Sequence, residues 1–144
     1  MSFSPVRLNH AVLFVADLDR SLAFYTDLFG MQIVAREPRA NAAFLRLPRS
    51  GNHHDLGLFG VGTAGGPKRR GGIGLYHLAW QVHTLEELVA MRARLVEVGS
   101  LVGESDHGVS KSLYARDPDG IEFEVMWAVP RAPSPTARNA VPAW

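Results

Sequence analysis

The segment Leu8-Asn9-His10-Ala11-Val12-Leu13-Phe14-Val15-Ala16-Asp17 decides the fold, because its pattern returns 67 positions downstream as Leu75-Tyr76-His77-Leu78-Ala79-Trp80-Gln81-Val82-His83-Thr84. In each copy an apolar run reads as a strand with a histidine at its third position and valine at its end. Each run is followed by a residue whose side-chain oxygen can accept from the free N–H groups of a new helix. After Asp17, Leu18, Leu22, Tyr25 and Phe29 recur at helical spacing, and Gly30 is placed to stop that helix. Thr84 and Glu87 form a capping box ahead of Leu85, Leu88, Val89, Leu95 and Val96, and Gly99 is the second stop. Self-similarity of this kind signals two copies of one supersecondary unit. If the halves pack about a pseudo-two-fold axis, His10 and His77 can approach each other on inward faces. Two imidazoles there are the start of a metal site.

Working outward, residues 31–36, 42–47 and 55–61 read as strands, separated by Pro38 and by the turn residues of 48–51. In the second half, 111–116 and 122–128 flank Asp117-Pro118-Asp119-Gly120, a strong turn sequence. The expected fold class is therefore α+β. Two β-α-β-β-β modules, about 7–61 and 73–129, are joined by the glycine-rich loop 62–72 within a single domain, 1–129. Beyond it Pro130, Pro133, Pro135 and Pro142 preclude a regular element. In that tail, 130–144, Val141 and Trp144 are expected to dock on this or a neighbouring subunit.

Composition narrows the chemistry. At 144 residues and 47% hydrophobic, one domain can bury roughly 70% of its unfolded surface without disulfides or a structural zinc cluster. The lack of cysteine excludes thiolate nucleophiles, Cys-type zinc sites and iron–sulfur ligation together. Fifteen basic against fourteen acidic residues give a net charge of +1, which excludes the electrostatic footprint of a nucleic-acid binder. No apolar run approaches the ~20 residues of a membrane span, and residues 1–7 are too short and polar for a signal peptide. The expectation is a soluble cytoplasmic protein, without nucleic-acid or membrane partners, whose chemistry comes from His, Asp, Glu, Tyr or Ser.

Several features have ordinary readings. Gly60-Val61-Gly62-Thr63-Ala64-Gly65 fits the dinucleotide fingerprint, but the following Gly66-Pro67-Lys68-Arg69-Arg70-Gly71-Gly72 does not open the helix that such a site needs. Lys68, Arg69 and Arg70 read as a solvated loop tip or as a means of steering an anionic substrate. Glu122 and Glu124, two apart in a strand, share one face, and periodicity does not choose between them. His53 and His54 stand at a strand entrance, His83 precedes a cap, His107 lies in a polar turn, and Tyr114 belongs to a strand.

The run from His10 through Ala11-Val12-Leu13-Phe14-Val15-Ala16-Asp17-Leu18-Asp19-Arg20-Ser21-Leu22-Ala23-Phe24-Tyr25, followed by Gly30, resembles the opening of the vicinal oxygen chelate superfamily. That group includes glyoxalase I, bleomycin- and fosfomycin-resistance proteins and extradiol dioxygenases. His77-Leu78-Ala79-Trp80-Gln81-Val82 and Asp117-Pro118-Asp119-Gly120-Ile121-Glu122-Phe123-Glu124 resemble its second-half signatures, so the likeness covers about residues 7–129. It implies a cupped mixed sheet around one metal, held by His10, His77 and Glu124. Two imidazoles and a carboxylate leave open positions on a divalent ion such as Fe(II).

The finer resemblance is to the extradiol ring-cleaving dioxygenases. It rests on His54-Asp55-Leu56, on Asp106-His107-Gly108-Val109-Ser110-Lys111, and on Ser112-Leu113-Tyr114 ahead of Glu124. It implies an acid–base role for His54, with His53 as its competitor, and hydrogen bonds from His107 and Tyr114 to the substrate's oxygens. The implied reaction is cleavage of a catechol-like aromatic diol with O2, on Fe(II) or Mn(II), in a homodimer. A metal-dependent isomerase, epimerase or fosfomycin-type transferase is the alternative, with Zn, Ni or Mg. Glyoxalase-type sites use four protein ligands, and the middle of Leu56-Gly57-Leu58-Phe59 offers no fourth. A non-enzymatic drug-binding module, as in bleomycin resistance, is a third reading, and the His10, His77, Glu124 set argues against it.

Overall fold

The computed structural model describes residues 3–131, so the expected docking of Val141 and Trp144 lies outside the described residues. The chain runs β1 (Ala11–Val15), α1 (Leu18–Phe29), β2 (Gln32–Glu37), β3 (Ala42–Arg46), β4 (Leu56–Gly60), then β5 (Leu78–Gln81), α2 (Leu85–Glu97), β6 (Leu101–Asp106), β7 (Ser110–Arg116) and β8 (Glu122–Ala128). Two four-stranded sheets result, ordered β1-β4-β3-β2 and β5-β8-β7-β6. In each, the first strand pairs parallel with the last while the remaining pairs are antiparallel. The repeat read from the sequence is thus a repeat of topology, and the class is α+β as expected.

The helix ends obey local chemistry. Asp17 Oδ1 accepts from Arg20 N at 3.1 Å, and Gly30 closes α1 with φ 65°, a left-handed turn that favours glycine. At α2 the Thr84 hydroxyl accepts from Glu87 N while Glu87 Oε2 accepts from the backbone N–H of both Thr84 and His83. One strand expectation needs correction. Neither histidine is the third residue of its strand; each stands one residue ahead of it, before Ala11 and Leu78. The carbonyl just ahead of His10, that of Asn9, is taken by Asn52 Nδ2, and the Leu75 carbonyl, two residues ahead of His77, by Lys68 Nζ.

Helix α1 joins the modules. Leu18, Leu22 and Tyr25 pack with Leu13, Val15, Leu45, Leu56 and Leu58 of the first sheet. From the same helix Leu28 packs with Leu88, Leu95, Phe123 and Val125 of the second module. Phe24 meets Phe123 edge-on at 6.1 Å, and Phe29 lies 5.5 Å from Trp80. The Tyr25 hydroxyl, fully buried, donates to Asp117 Oδ2 at 2.8 Å. Asp117 Oδ1 accepts from the backbone N–H of Asp119 and Ile121, and Arg20 pairs with Asp119 at 2.8 Å. The Asp117–Gly120 turn is therefore an anchor as well as a reversal, fixing where β8 begins. Burial and the Asp117 charge push the Tyr25 hydroxyl far above its usual range. Burial likewise raises the Asp117 carboxyl, against the lowering effect of its three donors.

With α1 covering one side, the other face of β1 is open: Leu13 and Val15 are buried, whereas Val12 is 50% and Phe14 73% exposed. Among the described residues no helix is long and apolar enough to cross a membrane.

Candidate active site

The open face of the first sheet carries a row of rings. Phe14 lies 6.3 Å from Phe59, Phe59 6.1 Å from Phe44, Phe44 5.0 Å from His54, and His54 4.4 Å from His10. Strand register builds this row, since Phe14 and Phe59 are direct partners across β1 and β4, and Val12 and Phe44 both oppose Gly57. Gly57 makes the close approach possible: a Cβ there would stand 3.2 Å from the Phe44 ring and 3.4 Å from Val12 Cγ2. At the histidine end, burial together with His10 and His53 holds His54 below the ordinary imidazole value. His53 Nδ1 and His54 Nδ1 are 3.0 Å apart, which leaves Nε2 of His54 as the nitrogen not so engaged. Of the two neighbouring histidines, His54 is the one that faces His10.

Behind His10 is a network that the sequence does not announce. His10 Nδ1 lies 3.0 Å from Asn9 Oδ1, an arrangement that places the proton on Nδ1 and a lone pair on Nε2. Asn9 Nδ2 donates to Asn52 Oδ1, and Asn52 Nδ2 donates to Asp55 Oδ1 at 2.8 Å. Asp55, buried, also accepts from Ser50 Oγ and from Leu47 N. A buried carboxylate surrounded by donors is satisfied and rigid, and it fixes the loop that carries His53 and His54.

The second cluster lies on the open face of the other sheet. His77 Nε2 is 3.0 Å from Glu124 Oε2, and the buried Ser112 hydroxyl donates to Glu124 Oε1. Glu124 opposes Tyr114 on β7 and Ala79 on β5, so a tyrosine stands on one side and a methyl group on the other. The Tyr114 ring is 6.2 Å from that of His77, and its hydroxyl shares a 3.0 Å hydrogen bond with Ser105 Oγ. Glu122 instead lies near Arg116 at 3.4 Å, so Glu124 is the glutamate beside His77. His107 is exposed between β6 and β7 and shares no hydrogen bond or ring contact with His77, Glu124 or Tyr114 among the described residues. His83 contributes its backbone N–H to the α2 cap.

The six candidate residues therefore divide as His10 with His54, and His77 with Glu124 and Tyr114, with His107 apart. Among the described residues no three His, Asp or Glu side chains converge closely enough to hold a metal ion. A cavity of about 190 Å³ adjoins both modules, lined by His10 and Asp55 from the first and by Ala79, the partner of Glu124, from the second. The donor chemistry suits a divalent ion. His77 Nδ1 is buried without a hydrogen-bond partner, Nε2 faces a carboxylate oxygen, and the other oxygen of that carboxylate is held by Ser112. Such an outer donor fixes a ligand's orientation.

The family model described as Glyoxalase/Bleomycin resistance protein/Dioxygenase superfamily matches residues 7–125. The chain is 34% identical over 125 residues to the catechol-2,3-dioxygenase of Bacillus subtilis (strain 168), covering 87% of this chain and 42% of that protein. It is 35% identical over 128 residues to biphenyl-2,3-diol 1,2-dioxygenase 3 of Rhodococcus globerulus, covering 88% and 65%. The crystal structure of lactoylglutathione lyase from Agrobacterium tumefaciens superimposes with a TM-score of 0.65 at 26% identity, covering 86% of this chain and 95% of that one. The chain thus spans less than two thirds of either of these dioxygenases.

Proposed function

The chain belongs to the glyoxalase/bleomycin resistance protein/dioxygenase superfamily, and from that premise we propose that it is an extradiol-type dioxygenase cleaving a catechol-like ring with O2. The observation that carries this reading is the aromatic row Phe14–Phe59–Phe44, which leads to His54 and His10. A flat apolar ring gains by lying against such a face, whereas a small aliphatic carbonyl compound does not need one. In this reading His10, which stands with His54, and the His77–Glu124 pair would close together on a divalent metal, Fe(II) or Mn(II). When bound, that ion supplies open positions for a diol and dioxygen and a route for electrons between them.

The remaining work falls to side chains of this chain. Ser112, donating to Glu124 Oε1, keeps the carboxylate turned toward His77. Burial, His10 and His53 lower the His54 imidazole and so favour its neutral form, whose Nε2 can take a proton from a diol hydroxyl and later return it. Either hydroxyl of the Ser105–Tyr114 pair can donate, and when Ser105 Oγ is the donor the Tyr114 hydroxyl can donate to a substrate oxygen and fix its position. The role of His107 as a second such donor comes from the family pattern. A homodimer, which the family resemblance implies, would be detected by sedimentation.

The test is anaerobic iron loading, then addition of catechols and oxygen, monitoring the yellow ring-fission product. Iron binding with no product from a broad catechol panel would remove ring cleavage and leave the metal site. A second reading, an isomerase or transferase on a redox-silent ion such as Zn, Ni or Mg, is favoured by the match over nearly the whole lactoylglutathione lyase chain. Oxygen-independent turnover with nickel or magnesium would support it. Against it, the middle of β4, Gly57 and Leu58, supplies no fourth ligand.

A further inference from the structure

The loop between the modules is exposed along its length, as its composition implies, but it is tied at its base. The Lys68 ammonium donates to the Leu75 carbonyl and clasps the loop across its own base. Gly71 at φ 70° and Gly74 at φ 146° supply bends that side chains rarely adopt. A Cβ at Gly72 would lie 3.6 Å from Arg69 Cδ, so the arginine stem runs beside the glycine backbone. Beneath the loop is a cavity of about 470 Å³ lined by Lys68, Arg69, Arg70 and Tyr76, with Asp119 and Glu122 opposite. Both acids already have cationic neighbours, Arg20 at 2.8 Å from Asp119 and Arg116 at 3.4 Å from Glu122. Among the described residues neither Arg69 nor Arg70 has a carboxylate partner, so the lining keeps an excess of positive charge.

This basic lobe adjoins an apolar one. A second cavity, about 560 Å³, shares Pro67, Lys68, Leu75 and Asp119 with the first and is otherwise lined by residues such as Val12, Phe14, Val61 and Ile121. The apolar lobe opens on the strand face that carries the aromatic row. The basic lobe includes Tyr76, whose ring is 4.8 Å from that of His77. Both volumes fall in the range of small-molecule sites. An apolar lobe joined to an arginine-lined lobe fits a ligand with an aromatic body and one anionic group. Paired guanidinium donors match a carboxylate in particular.

We propose that the cavity beneath residues 67–76 is a subsite for the carboxylate of an aromatic acid, so that the preferred substrate is a catechol with a carboxylate-bearing side chain. The diol half of that statement rests on the dioxygenase reading, and the carboxylate half does not. The test compares the full chain with the Arg69→Gln/Arg70→Gln variant. Three probes are titrated calorimetrically: a catechol with a propanoate side chain, its neutral methyl ester, and phenylpropanoate, which has no hydroxyls. The catechol acid should bind the unmodified chain about tenfold tighter than its ester, and phenylpropanoate should bind the unmodified chain about tenfold tighter than the variant, as expected of charge-assisted pairs. The advantage of acid over ester should vanish in the variant and shrink at about 1 M salt. Equal affinity for acid and ester, or an advantage that survives both arginine substitutions, would overturn the subsite. If no catechol is cleaved yet phenylpropanoate affinity still depends on Arg69 and Arg70, the dioxygenase reading falls and the subsite stands. If the ester and acid are cleaved with the same KM, the subsite falls and the dioxygenase reading stands.

Discussion

Replacing Tyr25 by phenylalanine removes one oxygen from the helix that joins the two modules, and the cost can be worked from its surroundings. Tyr25 is 2% exposed, so water cannot replace the lost donor, and Asp117 Oδ2 is left with no protein partner while Oδ1 keeps two backbone N–H groups. A buried hydrogen bond to a charged acceptor contributes about 1.5–3 kcal/mol, so a loss of about 2 kcal/mol is expected near pH 7. For a chain of this size that lowers the melting temperature by roughly 6–8 °C. The penalty must also depend on pH. Burial raises the Asp117 carboxyl in the fold, and the Tyr25 hydroxyl is one of the influences lowering it, so the substitution raises it further. A carboxyl raised in the native state takes up its proton there first. Its stabilising contribution is complete below the unfolded value near 3.8 and is lost as pH rises through the folded value. The Tyr25→Phe penalty should therefore be largest at about pH 7 and shrink toward about pH 4. Urea melts of the unmodified chain, Tyr25→Phe, Asp117→Asn and the double variant provide the assay, and the pH dependence of the penalty should disappear in the Asp117→Asn background. A penalty below about 0.5 kcal/mol, or one equal at both pH values, would show that the Asp117 carboxylate does not depend on the Tyr25 donor.

The site itself yields two more expected outcomes. Ser112→Ala should weaken binding of Mn(II) or Fe(II) by about 10–100-fold, with Ser112→Thr retaining most of it, as read by anaerobic metal titration. A similar affinity in the alanine variant would remove Ser112 from the support of Glu124. Gly57→Ala places a methyl 3.2 Å from the Phe44 ring and displaces it by a few tenths of an ångström. The expected cost is about 1 kcal/mol in denaturant melts, with KM for an aromatic diol rising more than kcat falls. An unchanged KM would show that the ring row does not receive the substrate.

The repeat is legible in the sequence because caps and strand runs are local: Asp17, Thr84 with Glu87, Gly30 and Gly99 act on neighbours a few residues away. The same locality makes His10 and His77 recognisable as equivalents, and both occupy matching places ahead of β1 and β5. What is not legible depends on register and on long separations. Ser112 and Glu124 lie on adjacent strands, and nothing in a serine between lysine and leucine marks it as a carboxylate's partner. The row from Phe14 to His54 draws on β1, β3, β4 and the loop ahead of β4, and strand pairing assembles its three phenylalanines. Asp117 reads as a turn former, while its tie to Tyr25 spans 92 positions. Asn9 adjoins His10 in the sequence, but its bond to Asn52, 43 positions away, requires the fold. Loop 62–72 reads as a solvated tip and is exposed throughout, whereas the bond from Lys68 to the Leu75 carbonyl at its base is not visible in composition.

On the proposed reading the site uses dioxygen to open an aromatic diol, and labelled oxygen reports whether it does. Iron-loaded protein, given a catechol under isotopically labelled dioxygen, should consume one dioxygen per diol. Both labelled atoms should appear in the ring-opened product by mass spectrometry, once exchange with water is allowed for. Binding of iron and catechol with no oxygen uptake, or a product formed equally well without oxygen, would contradict the account.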